Sequence, residues 1–222
     1  MSITSKIQKD GFVILKNIFT ESEINDCRDE ILSFIDKHNV FKSSGGISIP
    51  NFIQHENLCK TSQLKDDKNI QDALIDIFGT TNYRFCSHND IGINRIVGWH
   101  KDRLNNEYRK YESVDIWKKY KGDQHEIFKV LIYLQNHQDN KDGLKIVPGS
   151  HLNSSIETKK NIQLKPGLGD VIIFDQRITH RGMEKQVKQK RILVSFGFGK
   201  NNIFTDNFEK GTVIRQNKQC KV

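Results

Sequence analysis

Trp99-His-Lys-Asp102, followed at a distance by Asp175-Gln-Arg-Ile-Thr-His180-Arg-Gly and then by Arg191-Ile-Leu-Val-Ser-Phe196, decides how this chain is read. Residues one apart on an extended strand point the same way, so His100 and Asp102 can meet at one ion. His180 follows the apolar run Val171-Ile-Ile-Phe174, which reads as a buried strand able to return a second imidazole to the first pair. Two imidazoles and one carboxylate leave three coordination positions open, the donor set that suits Fe(II) in oxygen chemistry. Arg191 opens a further β-prone run, and its planar guanidinium supplies a fork for bidentate grip on a carboxylate. The polar turn over 182–188 lets the two runs lie side by side, which puts the arginine just beyond the metal. Together the four residues predict an iron site that works with 2-oxoglutarate and O2.

Three further stretches frame that constellation. They are Asp142-Gly-Leu-Lys-Ile-Val-Pro-Gly-Ser-His151, Pro166-Gly-Leu-Gly-Asp170-Val-Ile-Ile-Phe174, and the opening Asp10-Gly-Phe-Val-Ile-Leu15. With them the chain resembles the phytanoyl-CoA dioxygenase family over roughly residues 5 to 200, motif in context. The resemblance implies His100, Asp102 and His180 as ligands of Fe(II) and Arg191 as the grip on 2-oxoglutarate. It also implies oxidative decarboxylation to succinate and CO2, with hydroxylation of a small-molecule substrate. Halogenating relatives replace the carboxylate with a small residue, so Asp102 favours hydroxylation. Ser87 and Asn89 are expected to share an inward face with Tyr83 and to assist 2-oxoglutarate.

Composition bounds the rest. A chain of 222 residues is enough for one domain with a proper core, here read as 1–222. Cys27, Cys59, Cys86 and Cys220 show no paired or ligand spacing, which predicts reduced thiols in a cytoplasmic protein. The start Met1-Ser-Ile-Thr-Ser-Lys has no apolar leader, and no window is apolar enough for a membrane span. A formal charge of +8 permits nucleic-acid binding, but the basic residues are scattered among acids and read as solvated surface, so no nucleic acid is expected.

Along the chain, Phe12–Leu15 reads as a strand, and Thr20-Glu-Ser-Glu23 as a capping box opening a helix with Ile24, Cys27, Ile31, Phe34 and Ile35 on one face. Residues 42–50 read as loop, punctuated by Gly, Ser and Pro. Ile70, Ala73, Leu74, Ile77 and Phe78 mark a second helix that stops at Gly79. A strand begins at Tyr83. Others are expected over 93–99, 128–134, 144–147, 162–164, 171–174 and 192–196. Short strands after a helical start predict a mainly β (α+β) jelly roll, a double-stranded β-helix with flanking amino-terminal helices. The tail from about Glu209 reads as polar and loose.

Residues 103–124 are too long for an ordinary connection and mix charge with aromatics, which suggests a substrate lid, helical around 114–120. Trp99, Arg103, Arg109, Tyr111 and Trp117 are its candidate substrate contacts, and their basic members favour a polar or anionic molecule. His38, His55, His88, His125 and His137 read as structural, and His151 as fixing the Pro-Gly turn. Two other functions compete. A zinc-binding or non-catalytic jelly roll has no need of Arg191. A nucleic-acid demethylase carries a second arginine six residues after the first, where this chain has Gly197.

Overall fold

The computed structural model describes residues 2–43, 45–112, 115–119, 123–137, 143–185 and 190–220. Helix α1 (Ile3–Asp10) ends at Gly11, whose φ of 82° redirects the chain into β1 (Phe12–Leu15). A Cβ at Gly11 would stand 2.5 Å from His151 Nδ1, so both conformation and space require glycine there. Helix α2 (Glu21–Lys37) starts at Thr20, where the capping box forms as the sequence predicts. Next come β2 (Phe41–Ser43), β3 (Gly46–Pro50), α3 (Cys59–Gln63) and α4 (Lys68–Phe78). The last is capped by the Asp67 carboxylate and closed by left-handed Gly79. The remaining elements are β4 (Tyr83–Ile93), β5 (Ile127–Tyr133), β6 (Lys145–Ile146), β7 (Ile162–Gln163), β8 (Val171–Asp175), β9 (His180–Arg181), β10 (Ile192–Lys200) and α5 (Ile203–Gln219).

Seven strands form one antiparallel sheet in the order β1-β8-β5-β10-β4-β3-β2, and three form a second in the order β7-β6-β9. The two make the jelly-roll core, a double-stranded β-helix with flanking helices. Strict alternation divides the large sheet. Phe128, Val130, Ile132, Val171, Ile173, Ile192, Val194 and Phe196 pack outward against Ile24, Ile31, Ile70 and Leu74 of α2 and α4. Leu131, Tyr133, Ile172 and Phe174 point inward, joining Leu144, Ile146 and Leu164 between the sheets. β5 is buried on both sides, so it reads as a continuous apolar run interrupted by one lysine.

The structure corrects several expectations. Where residues 42–50 read as loop, β2 and β3 pair antiparallel, with Ile47 and Ile49 registered against Ile93 and Ile91 of β4. The expected strand over 93–99 does not form. β4 ends at Ile93, and the chain beyond it meets β9 and the residues after it through the bridges Ile96↔Met183 and His100↔His180 and the Gly182 N–H to Val97 O hydrogen bond. The runs 171–174 and 192–196 are not adjacent, because β5 lies between them. The polar carboxy-terminal stretch is α5, a helix of 17 residues. Among the described residues no helix is long and apolar enough to cross a membrane.

Candidate metal centre

His100 and His180 are a mutually hydrogen-bonded antiparallel pair, each N–H donating to the other's carbonyl at 2.9 Å. Such a pair sets its two side chains beside each other on one face, and here the rings lie 4.2 Å apart between centroids. Asp102 N–H donates to Gln176 O at 3.1 Å, which keeps the His-x-Asp segment extended and turns the carboxylate toward the same point. Its Oδ1 lies 3.2 Å from His100 Nε2 and 3.7 Å from His180 Nε2. One donor atom from each of the three residues falls within 4.8 Å of the others.

Local anchors fix the ring orientations. His100 Nδ1 meets Gly98 O at 2.8 Å and His180 Nδ1 meets Ile178 O at 3.1 Å, leaving both Nε2 atoms turned toward Asp102. Burial, then the neighbouring His100, pushes His180 down to about 4, so its imidazole is neutral at pH 7. Burial alone would raise Asp102, but His180 and the hydrogen bond with His100 outweigh it and hold the carboxyl well below the usual carboxylate range. His100 is pulled down by burial and raised overall by Asp102. A neutral imidazole and an ionised carboxylate are the protonation states a divalent cation requires.

The Pro-Gly-Ser-His stretch has a mechanical part in this. Ser150 Oγ accepts from Thr179 N–H at 2.8 Å, and Lys101 Nζ donates to Ser150 O at 2.6 Å and to Arg177 O at 2.7 Å. Lys101, between two candidate ligands, therefore ties their segment to the one that carries His180. His151 packs against Gly11 instead of facing the ion.

The triad opens on a cavity of about 320 Å³ between the sheets. Arg191 lines one end at 5% exposure. Its Nη2 donates to Tyr133 Oη at 2.5 Å, while its Nε, buried, has no partner among the described residues. A buried guanidinium with an unused donor is built to receive an acceptor from the cavity. Neither Tyr133 nor the cavity-lining Lys129 and Arg215 was singled out from sequence. Lys129 is 2% exposed, and burial, opposed by Asp102, lowers it to about 8, which leaves it an ammonium at neutral pH.

Other predicted residues fall elsewhere. On β4 the cavity-facing residues are His88 and Asp90, one position away from those expected. Asn89 is spent on the far side, its Oδ1 accepting from Ile53 N–H and its Nδ2 donating to Asn51 Oδ1 and Ser87 O. Ser87 sits at a bulge with φ 57° and donates to Glu209 of α5 at 2.5 Å. Both are corrections, because neither reaches the cavity. Trp99 lies outside it under the Arg181 guanidinium. Arg103 reaches the rim but is paired with Glu112 at 2.7 Å, and it covers Trp117. Arg109 and Trp117 line a separate outer groove. Tyr111 packs on α5 beside Leu104, Tyr108 and Phe208. The described part of the long segment has its 3₁₀ turn at Asn106–Tyr111, while Val114 and Tyr120, the ends of the expected helical stretch, lie outside the described residues.

No protein-family model matches the chain, and no curated protein matches it in sequence. Solved structures match its fold. HygX from Streptomyces hygroscopicus, solved with nickel and 2-oxoglutarate bound, aligns at TM-score 0.67 and 16% identity over 88% of this chain and 85% of its own. The non-haem α-ketoglutarate-dependent epimerase SnoN from nogalamycin biosynthesis aligns at 0.66 and 13%, over 88% and 80%. AviO1 from Streptomyces viridochromogenes aligns at 0.66 and 14%, over 90% and 94%. The chain thus has the fold of these proteins.

Proposed function

We propose that this protein is an Fe(II)- and 2-oxoglutarate-dependent dioxygenase of the phytanoyl-CoA dioxygenase type, hydroxylating a small molecule with release of succinate and CO2. The observation that carries the reading is Arg191, buried beside the three convergent donors with an Nε that has no partner among the described residues. His100, Asp102 and His180 would hold the iron, and Arg191 with Tyr133 would hold the far carboxylate of 2-oxoglutarate. The donor set fits: two imidazoles, one ionised carboxylate and room for further ligands in the cavity. Support also comes from HygX, solved with 2-oxoglutarate, and from SnoN, solved with Fe3+ and α-ketoglutarate. Iron and 2-oxoglutarate together supply the activation of O2.

The chain's own residues bind, orient and exclude. The Nδ1 anchors keep both imidazoles turned inward, and Phe174 packs its ring 4.8 Å from His180, shielding that ligand from water. Arg191 fixes the cosubstrate's tail, so its reacting end is delivered toward the triad. Asp102 occupies the position that would have to be vacant for halide. Arg103 stays a candidate substrate contact at the rim. Gly197, in place of a second arginine, argues against a nucleic-acid substrate.

Arg191→Leu tests the reading. The variant is expected to keep Fe(II) and lose 2-oxoglutarate affinity by at least about 30-fold, since truncating one partner of a buried charged pair costs roughly 2–5 kcal/mol. Anaerobic titration of the Fe(II) protein, followed by the visible charge-transfer absorbance of the chelate, measures it. An unchanged curve removes Arg191 from the site and restores the zinc-binding jelly roll.

A further inference from the structure

The cavity holds more positive charge than the proposed cosubstrate can use. Arg95 is paired with Asp90 at 2.9 Å and Arg103 with Glu112 at 2.7 Å. Lys101 is satisfied by two carbonyl oxygens. A divalent ion, Asp102, dianionic 2-oxoglutarate and Arg191 would sum to zero. Lys129 and Arg215 remain with donors free to meet an anion, whereas the Lys101 ammonium, although it too lacks a carboxylate partner, is turned onto backbone oxygens. Among the described residues Lys129 makes no ion pair and no hydrogen bond, and its ammonium rests over the Phe208 ring at 5.0 Å. Arg215, from α5, reaches His88 Nδ1 at 3.4 Å, has no ion pair among the described residues, and its buried Nε has no partner. A cation without a counter-charge is costly when fully buried, as Lys129 is, and the half-buried Arg215 beside it adds a second positive charge to the same end of the cavity.

Their placement sets them apart from the Arg191 end. Lys129 and Tyr133 lie on the same face of β5, four residues and about 13 Å apart at strand spacing. Tyr133 belongs to Arg191, whereas Lys129 belongs to the end walled by Phe208 and Arg215 of α5. Metal ligands line the same cavity, and Lys129 sits close enough to Asp102 to feel its charge.

We propose that Lys129 and Arg215 form an oxyanion subsite for the substrate, so that the molecule modified carries a carboxylate or a phosphate held at the end of the cavity opposite Arg191. The proposal rests on the dioxygenase reading and names the substrate class for that site. The basic residues of the long segment play no part in it. Arg103 is neutralised by Glu112, and Arg109 lies in the outer groove.

The test is calorimetry on protein loaded with Ni(II) and 2-oxoglutarate, which binds without turnover, titrated at constant ionic strength with acetate and with inorganic phosphate. Wild type is expected to bind at least one of them. Lys129→Met and Arg215→Met are each expected to weaken that binding at least tenfold while metal and 2-oxoglutarate affinities stay unchanged. Preference for phosphate assigns a phosphoester substrate, and preference for acetate a carboxylate. Arg215 is half-buried on a helix, so its variant reports even if Lys129→Met fails to fold. No anion binding by wild type overturns the proposal. So does equal binding by both variants, which would put the anion on the metal, or a loss of 2-oxoglutarate in Lys129→Met, which would make Lys129 part of the cosubstrate site. The dioxygenase reading fails separately, as a wild-type protein that takes no 2-oxoglutarate. The subsite then stands or falls on the same variants titrated with metal alone.

Discussion

The two faces of β5 differ in what they are for. Phe128, Val130 and Ile132 join an apolar layer shared with α2 and α4. Lys129 and Leu131, interleaved with them, line the cavity that His100, Asp102, His180 and Arg191 also line, and Tyr133 on the same face accepts from Arg191. One strand thus serves the apolar layer on one side and the cavity on the other. Substitutions on the two faces should separate cleanly, because residues without shared partners have nearly additive effects.

The largest effect is expected on the helix side. Phe196, fully buried and tilted against Phe52 at 5.5 Å, should cost about 3–5 kcal/mol when cut to alanine, with metal affinity unchanged in the folded protein. Denaturant unfolding with a parallel metal titration checks both halves. A loss of metal affinity in that variant would show that the faces are coupled. The reverse should hold for His180→Ala, with metal affinity falling at least about 100-fold, beyond what loss of an outer-shell partner costs. Its metal-free unfolding midpoint should stay closer to wild type than that of Phe196→Ala. Full metal occupancy in the alanine variant would dissolve the triad.

A third, smaller effect probes the seam between the sheet and α5. His125 is 2% exposed, edge-on to Phe204, with neither ring nitrogen partnered, and burial lowers it to about 3. The unfolded chain takes up a proton near pH 6.5 while the folded one refuses it until about 3, so stability falls as pH drops through that window. His125→Leu should flatten this slope. An identical acid profile in the variant would mean that the ring is not dry.

What the sequence disclosed follows the same division. α2 and α4 were readable because their buried residues are apolar at helical spacing and their caps are side chains of the expected type, Thr20 with Glu23 and Asp67. α5 was not. Its buried positions include Thr205, Gly211, Thr212 and Gln216, so its inward face carries no apolar stripe. The β2–β3 pairing was hidden because glycine and serine surround only two sheet-facing isoleucines. At the candidate site, the convergence of His100, Asp102 and His180 on the cavity that Arg191 also lines was legible from residue type and spacing, since histidine and carboxylate at such intervals are chemically conspicuous. Ser87 and Asn89 were misplaced by a single step of strand parity, which reverses the face a residue serves. Lys129 and Tyr133 left no signal, because a lysine or tyrosine inside an apolar run looks the same whether it faces water or a cavity.

The matched anchors on the two histidines bear on which element the candidate site would take up. Each Nδ1 is held by the carbonyl two residues upstream, so both donors are already in position before any ion arrives. Nothing in that rigid arrangement of two nitrogens and one oxygen rejects nickel, cobalt or zinc, and the Irving–Williams ranking places all three above iron(II) in such a donor set. Occupancy would then follow the supply of free ions and not any discrimination by the fold. A preparation exposed to competing metals would be poisoned by substitution, and chelation followed by excess ferrous salt would be the route back.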